Sequence, residues 1–374
     1  MNFNWQQADW PNFRYNATTL QTSLTHYSES MGAMRYLLSM FDSNFIEDKA
    51  ITQLTNEAID TSAIEGISLN RDAVLSSVCR QLGRKDPHPN VNNATAEGFA
   101  SLIIDVRDTY ASKLSKHMLL HWHALLLKES TARVLPGKFR THKESMMVLA
   151  GGIEGSDIRF IAPPSKHVEH EMTQFVKWFN SSLADVNTGM MHPAVRISIA
   201  HLYFESIHPF EDGNGRIGRM LVCKAMAQHV GQPVLLPISV IIRKAKTEYY
   251  EAIQAASLTN NVTDWCLFFT RILTSAMDQL SQELVFLVKK IQFFNEHSPH
   301  LNARQSKVME RMAAERHAGF TGGMNASKYQ KIAKISKATA TRDLTHLCKI
   351  GALIKIGSGP GIRYHLPFAV PLIE

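Results

Sequence analysis

Residues 208–219 read HPFEDGNGRIGR, and the apolar residues on either side are too dense for surface helices: Val195, Ile197, Ile199, Leu202 and Phe204 before it, Met220, Leu221, Val222 and Met226 after it. Such flanks predict two buried helices joined by the stretch itself. At the joint, GNG supplies closely spaced backbone amides with little side chain to obstruct them. Amides at a helix N-terminus form a concavity that suits an anion, so a phosphate is the natural guest of Gly213, Asn214 and Gly215. Arg216 and Arg219 lie three apart, on one face of the new helix, where guanidinium forks reach a second and third phosphate. Asp212 beside this nest would repel phosphate unless a divalent cation lay between them, which implies Mg²⁺. His208, just ahead of the turn, is the group whose ordinary pKa suits taking a proton from an attacking hydroxyl. A polyphosphate, a metal and a base together make phosphoryl or nucleotidyl transfer.

The string resembles the HxFx(D/E)GNGRxxR motif of the Fic family at every specified position. The resemblance implies His208 as general base, Phe210 as an anchor into the core, Asp212 as the Mg²⁺ ligand, and Gly213, Asn214 and Gly215 as the cradle of the α- and β-phosphates. It implies Arg216 and Arg219 on the β- and γ-phosphates, with Ile217 and Gly218 in the same ATP-binding turn. A Ser, Thr or Tyr hydroxyl of a target protein would then attack the α-phosphorus of ATP, and pyrophosphate would leave. In KTEYYEAI, Tyr250 resembles a family position that lines the nucleotide base. Upstream, TSAIEG at 61–66 resembles the inhibitory (S/T)xxxE(G/N) motif of one Fic class. Thr61 and Glu65 share a helix face at i and i+4, with Gly66 ending the helix. By that resemblance Glu65 pairs with Arg219 where the γ-phosphate belongs, so the protein is expected to inhibit itself.

Around this centre the chain reads as mainly α. Helical spacing runs through much of residues 21–110, as in Ile46, Ala50, Ile51, Leu54 and Ala58. The polar run DPHPNVNNATAEG at 86–98 reads as a linker, and β-favouring MMVLA and DIRFIA around GGIEGS read as a hairpin within about 140–161. The resemblance makes that hairpin the family's flap, which holds a target segment by strand addition. A helix from Asp264 to Phe294 precedes a second expected linker, NEHSPHLNAR. The last segment has three helices and then two short strands around Gly357, Gly359, Pro360 and Gly361, a winged helix-turn-helix order. Its third helix, near Lys337 to Ile350, carries Thr339, Thr341 and Arg342 where a recognition helix meets a groove. The expected domains are an N-terminal helical region with the inhibitory helix (1–90), a Fic catalytic domain (91–295) and a winged-helix domain (296–374).

Charge divides unevenly. Of 40 Lys/Arg and 33 Asp/Glu, residues 301–374 hold 12 and 4, which leaves 28 against 29 for the rest. The excess therefore points to a polyanionic partner of the C-terminal segment alone. Cys79, Cys223, Cys266 and Cys348 form no CxxC pair, which argues against a disulfide framework or a zinc cluster. His117 and His121 lack the HExxH context of a zinc site. MNFNWQQADW does not resemble a signal peptide and no apolar run is long enough to span a membrane, so a cytoplasmic protein is expected. The expected cofactors are ATP as substrate and Mg²⁺. The expected partners are a target protein with a hydroxyl side chain, the chain itself included, together with DNA through the winged helix and a second copy in a homodimer. Two other functions fit the same residues: removal of AMP from a modified protein with Glu65 positioning water, and a DNA-binding regulator whose Fic core senses nucleotide.

Overall fold

Short polar side chains fix where most of the helices begin. In the computed structural model Asn16, Asp42, Asn70, Asn93 and Ser115 each accept a hydrogen bond from the backbone N–H three residues on, which satisfies a donor the helix itself leaves open. The structure describes residues 2–88, 91, 93–128, 134–144, 146–149, 158–233, 236–314, 320 and 322–369. The helices and strands so started are α1 (Ala17–Leu38), α2 (Ser43–Ile64), α3 (Arg71–Gln81), α4 (Ala94–Asp108), α5 (Lys116–Leu126), β1 (Met147–Leu149), β2 (Ile158–Ile161), α6 (Ser165–Asn187), α7 (Pro193–Ile207), α8 (Asn214–Val230), α9 (Ile238–Lys244), α10 (Lys246–Ala256) and α11 (Thr263–His297). There follow α12 (Ala303–Ala313), α13 (Ala326–Ala333), α14 (Lys337–Lys349), β3 (Ile354–Ile356) and β4 (Arg363–His365).

The chain divides into two compact units, Met1–Gln279 and Leu280–Glu374, so the division falls within α11, upstream of the position expected from sequence. In the first unit α7 and α8 are the central pair, buried almost all round as their composition requires, and α4, α5 and α6 pack on them. The N-terminal residues are part of this unit. Asn4 donates to Ser206 Oγ at 2.8 Å and Trp5 Nε1 to the Ile161 carbonyl at 2.6 Å, while α2 lies against α4, α8 and α9. β1 and β2 pair antiparallel, with Met147 opposite Ile161. That is the hairpin expected between 140 and 161, and its GGIEGS tip lies outside the described residues.

Both expected linkers are shorter than their composition suggests. Asn93 caps α4, so residues 94–98 of the polar run are helical, and Gly98 sits where a Cβ would lie 2.4 Å from the Leu125 carbonyl oxygen. That contact admits only glycine where α4 crosses α5. In the second run, α11 continues to His297, and Asn302 with Gln305 forms a capping box that opens α12. The second unit closes over its own core of Val308, Met309, Met312, Tyr329, Leu344, Leu347 and Leu353. No helix among the described residues is long and apolar enough to cross a membrane.

Candidate active site

α7 stops because His208 turns left-handed, with φ 50° and ψ 61°. A residue with a Cβ adopts that conformation only when its surroundings hold it there. Here Arg140, 2% exposed, is the clamp: its Nε donates to the His208 carbonyl at 2.7 Å, its Nη2 to the Pro163 carbonyl at 2.5 Å, and its backbone N–H to the Pro209 carbonyl at 2.9 Å. Phe210, wholly buried, stacks on His123 with centroids 4.1 Å apart. The Asn214 side chain closes the turn, donating to the Phe210 carbonyl at 2.8 Å and accepting from the Phe210 N–H at 2.9 Å. Gly213 (φ 86°) then leads into α8, and a side chain there would also strike Leu126. The amides of residues 213–215 are thus presented at the start of a buried 17-residue helix, and Asn214 serves the turn through its side chain.

This N-terminus opens into a cavity of about 510 Å³. Its walls include His208, Asp212, Gly213, Asn214, Gly215, Arg219 and Tyr250 of the residues expected from sequence, together with Glu65 from α2's end. β2 contributes Arg159 and Phe160, and α10 contributes Lys246, Tyr249, Ile253 and Gln254. Three expected residues are placed elsewhere. Ile217 is fully buried, and a Cβ on Gly218 would meet Glu205 and His201, so both face the core. Arg216 is 3% exposed, donates to Asp212 Oδ1 at 2.9 Å and lies over the Phe99 ring, so its charge reaches the cavity through Asp212.

Arg219 is 1% exposed and triply held: Nε donates to Thr61 Oγ1 at 2.7 Å, and Nη2 to the Thr61 carbonyl at 2.9 Å and to Glu65 Oε1 at 2.7 Å. Burial works against its charge, and the Glu65 carboxylate outweighs burial and raises its pKa. Glu65 caps α2 at its C-terminal end before Gly66 (φ 78°), and Lys246 ties that end down by donating to the Ile64 carbonyl at 2.6 Å. The carboxylate lies directly over the α8 N-terminus, since a Cβ on Gly215 would be 2.5 Å from Glu65 Oε1. An acidic side chain therefore occupies the position where the helix end favours an anion.

Burial, helped by the nearby Arg140 charge, holds the His208 pKa down to about 4, so its imidazole is neutral at physiological pH and able to accept a proton. Glu205, one turn earlier on α7, lies 3.8 Å from His208 Nδ1. Burial pushes its carboxyl up to about 8, Arg219 opposing and Glu65 adding to the shift, and its Oε1 has no hydrogen-bond partner among the described residues. Arg140 and Glu205 were not singled out in the sequence. Glu205 could have been found from its i, i+3 relation to His208, whereas nothing local marks Arg140. Asp212 suits Mg²⁺ as a single protein ligand. Its side chain is half exposed on the cavity wall, Gly213 N–H and Arg216 occupy Oδ1, and the described residues contain no group of three ligands that would make a closed metal cage.

Comparison with known proteins agrees with this geometry. The Fic/DOC family model matches residues 113–226, and a domain of unknown function, DUF4172, matches residues 3–84. Protein adenylyltransferase fic-1 of Caenorhabditis briggsae is 29% identical over 177 residues, 46% of this chain and 32% of that protein, and its Caenorhabditis elegans counterpart is 28% identical over the same extent. The chain thus spans about a third of the length of these curated relatives. A crystal structure of a Fic family protein from Desulfovibrio desulfuricans G20 covers 91% of this chain and 95% of its own at 18% identity with a TM-score of 0.51. Fic-1 (residues 134–508) of Caenorhabditis elegans covers 73% of this chain and 74% of its own at 19% identity with a TM-score of 0.52. With the motif, the helix pair and the fold in agreement, the chain carries a Fic/DOC family domain over residues 113–226.

Proposed function

We propose that this protein is an adenylyltransferase that moves AMP from ATP to a Ser, Thr or Tyr hydroxyl of a target protein, and that Glu65 holds it in check through Arg219. The observation that carries the reading is the convergence of a neutral base, His208, and a helix N-terminus, Gly213–Gly215, on one cavity whose anion position is filled by Glu65. The α- and β-phosphates lie on the amides of Gly213, Asn214 and Gly215, and the base lies against Tyr250. His208 takes the proton of the incoming hydroxyl, while Arg140 keeps its ring at the cavity wall. Asp212 would hold Mg²⁺, which when bound neutralises charge on the phosphates. Arg219 is the γ-phosphate ligand once Glu65 withdraws, and its arginine fork then stabilises the departing pyrophosphate. The β1–β2 hairpin would present the target segment by strand addition. Such a protein would work in the cytoplasm, on targets that include the chain itself, and as a dimer if α2 is displaced by a second copy.

The test is transfer of α-labelled ATP to protein in Mg²⁺, with cell lysate supplied as target. Wild type should label weakly, Glu65→Gly at least about 10-fold more, and Glu65→Gly with His208→Ala at background; loss of one base contributes about 10²–10⁴-fold. No label with any variant would overturn the transferase reading. AMP removal that depends on Glu65 would replace it with the reverse reaction.

A further inference from the structure

The C-terminal unit is built around a helix-turn-helix that the catalytic reading does not use. α13 and α14 are joined by three residues, and Lys334 makes the turn in the left-handed region at φ 53°, after which Ser336 caps α14 through Thr339 N–H. β3 and β4 pair antiparallel, and Met324 exchanges two 2.8 Å backbone hydrogen bonds with Tyr364, which adds a short third strand ahead of α13. Gly357 (φ 88°) keeps the hairpin tip tight, since a Cβ there would lie 2.9 Å from the Gly361 carbonyl oxygen.

The surface of this unit carries one sign of charge. Residues 326–369 contain eight Lys/Arg and a single acid, Asp343. Asp343 is 5% exposed and neutralised from inside, accepting from Arg304 at 2.7 and 3.0 Å and from the Tyr329 hydroxyl at 3.1 Å. α14 turns Ala340, Asp343, Leu344 and Leu347 into the core and leaves Lys337, Ala338, Thr341, Arg342, Thr345 and Lys349 exposed. That outer face has two cations near its start, small and hydroxyl side chains along its middle, and no acid. A merely solvated helix face would mix charges of both signs. A face of small residues between cations fits a groove whose walls are phosphate and whose floor is polar, and a 13-residue helix, about 20 Å long, matches the width and depth of the B-DNA major groove. Lys355 on β3 stands exposed on the hairpin that follows.

We propose that the C-terminal unit binds double-stranded DNA, with the exposed face of α14 in the major groove and the β3–β4 hairpin against the neighbouring backbone. Lys337, Lys349 and Lys355 contact phosphate and supply affinity without sequence information. Thr341, Arg342 and Thr345 face base edges, where Arg342 is suited to guanine. This proposal is independent of the transferase reading, because its surface shares no residue with the cavity.

Binding is measured with the full chain and a fluorescent mixed-sequence duplex by anisotropy. We expect micromolar affinity at about 50 mM salt, falling about 100-fold by about 200 mM, the loss that about four phosphate contacts produce. Lys337→Glu with Arg342→Glu should weaken binding at least about 10-fold and reduce the salt slope by about two. Lys113→Glu with Lys166→Glu, exposed cations of the other unit, should leave binding unchanged. Lys337→Gln with Arg342→Gln, checked for retained helicity by circular dichroism, repeats the test without charge reversal. The proposal is overturned by absence of binding at low salt, by equal loss with the two control substitutions, by insensitivity to both α14 pairs, or by equal affinity for single-stranded DNA or for phosphatidylserine vesicles.

Discussion

Arg219 is a guanidinium buried to 1% exposure with one counter-charge, Glu65, whose own side chain is 29% exposed. Removing the carboxylate leaves a buried cation held only by Thr61, although partial exposure of Glu65 screens the lost attraction. Glu65→Gly should therefore destabilise the protein by about 1–3 kcal/mol. ATP with Mg²⁺ should raise the melting temperature of the variant more than that of wild type, because the γ-phosphate would supply the missing anion without having to displace one. Equal ATP-induced shifts in the two proteins would show that Glu65 and nucleotide do not compete. Thr61 completes the arrangement by spending its hydroxyl and its carbonyl on the same guanidinium. One helical turn thus carries both contacts, which is why the i, i+4 spacing matters.

At the scale of elements, the site depends on how closely helices approach around the α7–α8 turn. His123 on α5 stacks on Phe210 and accepts the Gly137 N–H at Nδ1 (2.9 Å), so α5 braces the turn from below. α5 can sit there only because α4 presents Gly98 to the Leu125 carbonyl. Gly98→Ala would put a Cβ against backbone that cannot rotate away. We expect it to cost about 1–3 kcal/mol in urea unfolding, with transfer activity lost in the Glu65→Gly background as the turn shifts. A surface Ala substitution such as Gln81→Ala on α3 should change stability by less than about 0.5 kcal/mol. If Gly98→Ala is equally silent, the close crossing does not constrain the turn.

For the whole molecule, burial of titratable groups sets the pH range of stability. His123, His192 and His208 are held down to about 4 and His201 to about 3, each chiefly by burial. Unfolding lets them take up protons below about 6.5, so the unfolded chain binds more protons there and stability falls as pH drops toward 4. Glu57 and Glu205 act in the opposite sense. Burial raises them to about 7 and about 8, so the folded state retains protons the unfolded state has lost, and stability declines as pH rises through those values. The melting temperature should peak between about pH 6 and pH 7. Glu205→Gln, which fixes the neutral form, should flatten the alkaline decline, and an unchanged decline would remove Glu205 as its source.

Twelve contiguous residues were enough to locate the anion nest, the base and the two buried helices, because a helix end, a glycine turn and a helix start are local structures. Thr61 and Glu65 were legible for the same reason, being one turn apart on α2. Other features exist only in three dimensions. Glu65 meets Arg219 across 154 residues of chain, and Arg140 holds the His208 carbonyl across 68, separations that leave no periodicity to read. Arg216 and Arg219 look equivalent in the motif, yet one is turned toward Asp212 and Phe99 and the other toward α2, since the neighbours that pack on α8 differ on the two sides. The polar runs read as linkers contained helix starts because capping by Asn93 and Asn302 outweighed their composition. Local chemistry could be read from side-chain order, but which charge answers which was decided by the packing of α2, α5 and α8 around one turn.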